Sequence, residues 1–419
     1  MEKLGFILKP LTPLLFRKPI PFRLGGYAPT FPLPSPSTIA GMIRSAILDY
    51  LADTRNMDVS QAFENRKDLL GEPSIYSEMS WTLIGPYLGK ITDDSVEVYY
   101  PAPVDLLKMK DTYKPCYEYK KERELIPLYI IDVKKMYKEL PLNELLRVGD
   151  ENKSRKSYYS FLPLTFISGV EYESMLGKFV SKRVFERYLN NDVREIEGEE
   201  FIKEIKFEAY DGEDIIGSKT KYNPIMIRVY SGIMLRKDTK TLDLRLSEGK
   251  IKGMYYQFER VHLDKDWGFV FGIVTEDSDV AEDIKKALDG KILRLGGKGG
   301  LVECREIEIK LLEFENPKYI SPNGRDGFKL ILTAPAVLKG NVGSYPEEYS
   351  DILFGYASTK RIIGGWDYYY ERPKPIHIGV NAGSVYYFDK PADFDVFLNR
   401  KYVEDEFKNV FGSALIGDL

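Results

Sequence analysis

The sequence predicts an α+β fold in two modules, the first of them interrupted by a large insertion. Three observations carry this. A chain of 419 residues exceeds what one ordinary core accommodates. Thirty Tyr stand against three Trp, which points to many half-buried strand positions and a high sheet content. Read in order, the hydrophobic patterns give a strand and a helix early on, then strands, a helix and a final strand before residue 315, the βαββαβ order of a ferredoxin-like unit. The expected division is a core over residues 1–315 with an insertion at about 52–220, and a second, smaller α/β module over 318–419.

Leu4–Lys9 reads as a strand closed by Pro10. Pro13 to Tyr27 is an extended loop, held so by its prolines and Gly25-Gly26, in which Arg17, Lys18 and Arg23 interleave with Phe16, Phe22 and Tyr27. Cations and rings on one loop fit single-stranded nucleic acid, whose bases stack and whose phosphates pair. An ordinary surface loop with its aromatics tucked under fits equally.

Ser35 or Ser37 then caps a helix whose buried face is Ile39, Ile43, Ala46, Ile47, Tyr50 and Leu51. Its N-terminus, with the Ser37 and Thr38 hydroxyls, is a ready anion site. Arg44, two turns along, either joins that anion site or is a solvated charge.

Residues 52–220 are less regular, with helical pieces at Asp58–Leu70 and Val133–Leu140 and strand-like pieces at Glu97–Tyr100 and Phe161–Ile167. Tyr117–Glu124 is a mixed-charge, solvent-facing run. Lys153, Arg155 and Lys156 before Tyr158-Tyr159 read as a solvated loop, with contact to nucleic acid as the alternative. From residue 224 the pattern sharpens into strands Ile225–Leu235, Gly253–Leu263 and Phe269–Thr275, a helix over Asp279–Leu288, and a strand over Leu301–Leu311. The tail restarts after Pro317 and Pro322-Asn-Gly with strand Gly327–Thr333. It carries a second basic and aromatic group, Lys360, Arg361, Trp366 and Lys374, with Trp366 read as core.

Between the late helix and its strand lies Arg294-Leu-Gly-Gly-Lys-Gly-Gly, where Gly296, Gly297, Gly299 and Gly300 surround Lys298. Glycines permit positive φ and leave no Cβ between the main chain and whatever lies against it. A tight turn needs fewer of them, and Arg294 and Lys298 have no acid nearby until Glu303, so the loop reads as a site for a phosphate backbone. It opens a strand rather than a helix, which excludes a P-loop and a dinucleotide fingerprint.

The net charge of −4 excludes a globally basic nucleic-acid binder, so any RNA affinity comes from a local patch. Two Cys (Cys116, Cys304) and two His argue for a reducing compartment, and against a disulfide scaffold or a Cys/His zinc site. Asp93-Asp94 and the pair Asp264 and Asp266 read as turns, so no metal or other cofactor is expected. No apolar run approaches the roughly 18 residues of a membrane helix. The chain opens on a strand instead of a signal peptide, so a cytoplasmic protein without membrane contact is expected.

Four motifs stand in order: Pro13-Leu-Leu-Phe-Arg with Arg23, the Pro34-Ser-Pro-Ser-Thr-Ile-Ala-Gly helix start, the Arg294 to Gly300 loop, and Gly-Gly-Trp-Asp followed by Lys374-Pro and Ala382-Gly-Ser-Val-Tyr-Tyr-Phe. Together they resemble the RAMP superfamily of CRISPR proteins, most closely the third subunit of the type III-B (Cmr) effector complex. The resemblance touches both ends of the chain and leaves out 52–220. It implies two ferredoxin-like (RRM-like) modules. It also implies a subunit that holds the 5′ tag of the guide RNA (crRNA) and bridges the large polymerase-like subunit to the first backbone RAMP subunit in antiviral defence. Carried over, Ser37, Thr38 and Gly296 to Gly300 fall where such proteins meet RNA, and the residues themselves add Arg17, Lys18, Arg23, Arg44, Arg294 and Lys298 as expected RNA contacts. Arg17-Lys18-Pro19 departs from relatives that often carry an acid and a glycine after the arginine.

Some RAMP proteins cleave guide precursors without metal through an acid-base residue. His262 and His377 are the only histidines, both in strands, and the sequence shows no compact acid-base set near the glycine-rich loop. A non-catalytic RNA binder is therefore the expectation, with a metal-independent endoribonuclease as the alternative and a structural bridge without RNA contact as a third reading.

Overall fold

The structure is a computed structural model that describes residues 1–20, 26–72, 79–93, 95–109, 125–127, 130–132, 161–163, 172–189, 215–216, 223–233, 239, 244–247, 250–253, 255–308, 328–339, 352–356, 358–367, 369–388, 403–407 and 409–418. The expectations for Arg23, Cys116, Tyr117–Glu124, Val133–Leu140, Lys153–Tyr159 and Pro322-Asn-Gly lie outside them.

The first strand, Glu2–Pro10, buries apolar side chains on both faces, Phe6 and Leu8 on one and Ile7 on the other. Such a strand belongs in the middle of a sheet covered on two sides. It pairs antiparallel with Trp267–Thr275 on one edge and with Leu301–Ile307 on the other. Trp81–Ile91 pairs in turn with Trp267–Thr275. These four strands are the centre of an eight-stranded antiparallel sheet that continues outward through Val96–Pro101, Phe179–Ser181 and Ile215–Ile216 on one side and Ile292–Arg294 on the other.

A helix follows the first of the four and another follows the third. The long helix, Pro36–Arg55, starts at Ser35, whose Oγ accepts the Thr38 N–H at 3.2 Å, with Pro36 in its first turn. Its buried Ile39, Ile43, Ala46, Ile47 and Leu51 join Phe6, Leu8, Phe269, Phe271 and the second helix, Ser278–Leu288, in one core. Asp283 of the second helix is buried and receives Arg66 at 2.7 Å and Arg55 at 3.0 Å, tying the helices together. The order strand, helix, two strands, helix, strand is the ferredoxin-like one.

The second strand of this unit is not one the sequence pointed to. Ile225–Leu235 and Gly253–Leu263 were expected to contribute, and Trp81 onward was placed in the insertion. Trp81 to Gly89 is buried at every position but Thr82, so it lacks the alternation that marks a half-exposed strand, and Gly85-Pro86 reads as a break. In the sheet that dipeptide sits at a register shift opposite Val270 to Gly272, and pairing resumes on both sides. The long interruption of the unit therefore runs from residue 92 to 266.

The late residues form a four-stranded antiparallel sheet in the order Ile352–Tyr356, Val385–Phe388, Phe328–Leu332, Ala414–Asp418. That strand order repeats the order at the centre of the first sheet. The described late residues contain no α-helix, only a 3-10 turn at Asp405–Phe407, but the helix Lys182–Leu189 packs on this sheet through Phe185, Tyr188 and Leu189. Ile331, Val385, Tyr387 and Leu415 pack with Ile7, Tyr87, Val270 and Val274 on the second face of the large sheet, so the two sheets share a core. Behind that core Asp105 accepts hydrogen bonds from Tyr188 and Tyr387, and burial raises its pKa despite the Lys329 charge. No helix among the described residues is long and apolar enough to cross a membrane.

Candidate nucleic-acid interface

The short segment Leu14–Lys18 collects the expected site residues around itself. Leu14 exchanges both backbone hydrogen bonds with Val261 (2.9 and 2.7 Å), Leu15 accepts the Gly297 N–H at 2.9 Å, and the Lys18 N–H reaches Pro29 O at 2.9 Å. Phe16 is buried, its ring edge-on to Phe269. Phe16 thus tucks under, whereas Tyr27 is exposed and Phe22 lies outside the described residues, and Arg17 remains exposed with a guanidinium hydrogen bond to Ile20 O.

The glycine-rich loop closes through Leu295 N–H to Gly300 O at 2.9 Å. Positive φ values occur at Gly296 (74°), Lys298 (58°) and Gly299 (71°). The close approach that the glycines permit is made by the chain itself. A Cβ on Gly296 would lie 2.5 Å from Leu15 O, and one on Gly300 would lie 2.7 Å from Leu14 Cδ2 and 2.6 Å from Leu295 O. Gly299 alone of the four faces open space. The loop's glycines therefore answer first to packing on Leu14–Leu15, and what they present outward is the exposed Lys298. Arg294, at the loop's entrance, is also exposed.

The feature that sequence reading missed is what Lys298 reaches. Ile225–Ile233 and Tyr255–Leu263 pair over their whole length as a hairpin outside the large sheet, joined by Tyr27–Ala28 as a parallel third strand. Side chains of directly paired residues share a face, so Met226, Arg228, Tyr230 and Gly232 line up with His262, Arg260, Phe258 and Tyr256. On that face Tyr256 stacks with Phe258 (centroids 5.9 Å, 26°), Phe258 with Tyr230 (5.7 Å, 21°), and Tyr230 with His262 (6.0 Å, 7°). Lys298 Nζ stands 4.9 Å from the Tyr256 ring and 5.4 Å from Phe258, and the Arg260 guanidinium lies 5.5 Å from both Tyr230 and Phe258.

The rings alone would be accounted for by the hairpin, since cross-strand aromatic pairs add roughly 0.2–1 kcal/mol each to a structure that is marginal by itself. The cations are not. Arg228 and Arg260 stand directly opposite one another, an arrangement that destabilises a strand pair. Neither they nor Lys298 forms an ion pair among the described residues. Glu259 is the strand's one carboxylate, and alternation puts it on the other face. There it accepts from the Tyr27 hydroxyl, raising that phenol's pKa, and from Thr30 N–H at 2.7 Å.

His262 Nε2 is 2.9 Å from the Tyr230 hydroxyl. Burial first, then the charges of Arg228 and Arg260, hold its pKa below the usual 6.5, so the imidazole is neutral at pH 7. This hydrogen-bonded pair lies on the same face as the rings that Lys298 reaches. His377 is placed otherwise, 3.2 Å from Glu406 and edge-on to Phe407.

One expected contact falls away, and one residue expected in the core comes out. Arg44 is buried, donates to Glu72 O at 2.7 Å and lies over the Phe63 ring, because a helix position two turns from the cap faces the short helices that follow. Trp366, expected in the core, is exposed: it sits in a two-stranded pairing with Pro373 at the edge of the late residues. Ser37 and Thr38 are half-buried, and their hydroxyls hydrogen-bond Ser35 Oγ at 2.9 and 2.8 Å, so the cap uses them. Among the described residues no group of three or more His, Cys, Asp or Glu is placed to hold a metal ion.

A comparison with curated proteins finds no match. Among solved structures, the chain is similar to one in a cryo-EM structure of the type III-B Cmr-beta bound to cognate target RNA and AMPPnP, at 14% identity over 91% of this chain and 86% of the other, with a TM-score of 0.41. It is also similar to one in a crystal structure of a Csm3-Csm4 subcomplex of the type III-A CRISPR-Cas interference complex, at 14% identity over 99% of each chain and a TM-score of 0.37. Residues 6–419 match the CRISPR-associated protein family Cas_Cmr3, and the chain belongs to that family.

Proposed function

We propose that this CRISPR-associated protein is an RNA-binding subunit of a type III-B effector ribonucleoprotein and grips its guide RNA on the cation-lined face of the hairpin. The observation that carries the reading is the stack Tyr256, Phe258, Tyr230 and His262, flanked by Lys298, Arg260 and Arg228 without a neutralising carboxylate among the described residues. Rings offer sequence-tolerant stacking to unpaired bases, and cations take the phosphates between them. Family membership supports the finer assignment, in which the RNA is the 5′ tag region of the guide and the partners are the large polymerase-like subunit and the backbone RAMP subunit.

Electrophoretic or fluorescence binding of a single-stranded guide RNA decides it. The double variant Arg260→Gln with Lys298→Gln should lose most of the affinity. Affinity unchanged across a salt titration would end the proposal.

A second reading has one specific observation behind it, the His262–Tyr230 hydrogen bond amid cations. A neutral imidazole is positioned to take a 2′-hydroxyl proton in metal-independent cleavage. Incubating the protein with precursor RNA in EDTA separates the two readings. Cleavage that disappears in His262→Ala makes the protein an endoribonuclease; intact RNA leaves it a binder.

A further inference from the structure

We propose that Arg361 and Lys18, which converge on the ring of Phe31, form a phosphate-binding site distinct from the hairpin face. Arg361 belongs to the strand Lys360–Ile363, far along the chain from the loop that carries Lys18. The fold brings them together: Arg17 bridges Thr30, Lys18 N–H bonds Pro29 O, and Phe31 N–H bonds Phe16 O at 2.8 Å, which fixes Lys18 and Phe31 side by side. Gly364, just past the Arg361 strand, lies against Pro19, where a Cβ would be 3.5 Å from the proline's own. The Arg361 guanidinium carbon is 3.9 Å from the Phe31 centroid, and Lys18 Nζ is 5.5 Å from it.

Two cations on one ring repel each other, and neither has a carboxylate partner among the described residues. Among the described residues Arg361 has one side-chain hydrogen bond, from Nη1 to Asn381 Oδ1 at 3.2 Å, while its Nη2 is buried with no acceptor. Stacking on Phe31 offsets part of the cost of taking that charge out of water, but it satisfies no N–H. Burial alone lowers the guanidinium's pKa, to about 10, so the group is still charged at pH 7. A planar donor fork with a buried, unpaired Nη2, and a half-buried ammonium over the same ring, form the arrangement that a phosphate oxyanion completes. A free ion, the terminal monoester of an RNA and an internal diester share the chemistry that the site recognises.

The first test uses inorganic phosphate on the full chain, with chloride at equal ionic strength as the control, and reads the thermal unfolding midpoint. Phosphate should raise the midpoint of the wild type in proportion to the logarithm of its concentration. Arg361→Gln should weaken phosphate binding at least about ten-fold, the loss of a charge-assisted pair. Lys18→Gln, at a partly exposed side chain whose replacement leaves the packing intact, should do the same and shows that misfolding is not the cause. No rise, or an equal rise in all three proteins, overturns the site.

The second test rests on the RNA-binding reading and compares RNA of one sequence bearing a 5′-phosphate or a 5′-hydroxyl. Preference for the phosphate that vanishes in Lys18→Gln assigns a terminal monoester. Equal affinity, lowered equally by that variant, assigns an internal diester. Equal affinity that the variant leaves unmoved rejects RNA as the source and leaves free phosphate, on which the first test decides. If the hairpin reading fails instead, RNA binding is indifferent to Lys298 while the phosphate effect on unfolding persists.

Discussion

Lys298, held at positive φ in a loop of glycines, places its ammonium 4.9 Å from the ring of Tyr256 on a hairpin strand more than forty residues earlier. The contact joins the glycine-rich loop to the aromatic stack and makes one face of two elements. Removing the loop's positive charge should show as a change in salt dependence. For Arg294→Glu with Lys298→Glu, the slope of log affinity against log salt should shallow by roughly 0.7 for each lost single-strand phosphate contact. A slope identical to wild type would take the loop out of the interface.

Stacking is separable from charge. Phe258→Ala should cost about 1–3 kcal/mol of affinity for single-stranded RNA, the usual loss when a base loses its aromatic platform. Binding to duplex RNA, whose bases are already stacked, should not change. Equal losses on both substrates would mean that the variant acts by unsettling the hairpin.

His262 gives the protein a pH signature of known sign. Its folded pKa lies below 6.5 because of burial and the two arginines, so the unfolded chain binds the proton more readily. Its contribution to stability is complete above about pH 6.5. It is lost as pH falls from there through the depressed folded value, and His262→Gln should abolish that component of the profile. RNA affinity should move the other way, rising at low pH as the imidazolium adds a cation to the face. Urea unfolding and RNA binding measured between pH 5 and pH 8, a range set around the ordinary imidazole pKa, check both directions.

The glycines of the loop are not equivalent. Gly296→Ala combines a φ of 74° with a Cβ 2.5 Å from Leu15 O, and should destabilise by about 2–4 kcal/mol because that contact is backbone and cannot yield. Gly299→Ala has the unfavourable φ but open space, and should cost only about 1 kcal/mol. Chemical denaturation of the two variants would show the order; equal losses would mean that the Leu15 contact is not what Gly296 serves.

Much of the fold was legible because local chemistry and tertiary position agreed. The cap at Ser35, the apolar stripe from Ile39 to Leu51, the alternation of the strand from Leu301 and the helix ending at Leu288 appear as written, with ends shifted by a few residues. Trp81–Ile91 was hidden because burial on both faces removes the period of two. The glycine-rich loop was legible as a place where backbone approaches backbone, yet nothing local says that the visitor is Leu15. The aromatic stack carried a faint signal, the alternation Tyr256, Phe258, Arg260, His262, with Arg228 and Tyr230 spaced likewise on the partner strand.

By itself, the sequence determined the element types, the family and the cationic glycine-rich loop, since these depend on residues near one another in the chain. Which strands are neighbours, which faces they share and which charges remain without a counter-charge were decided only by the tertiary structure. Pairing register sets whether Arg228 meets an arginine or a glutamate, and a shift of one residue would have put Glu259 opposite it and neutralised the face.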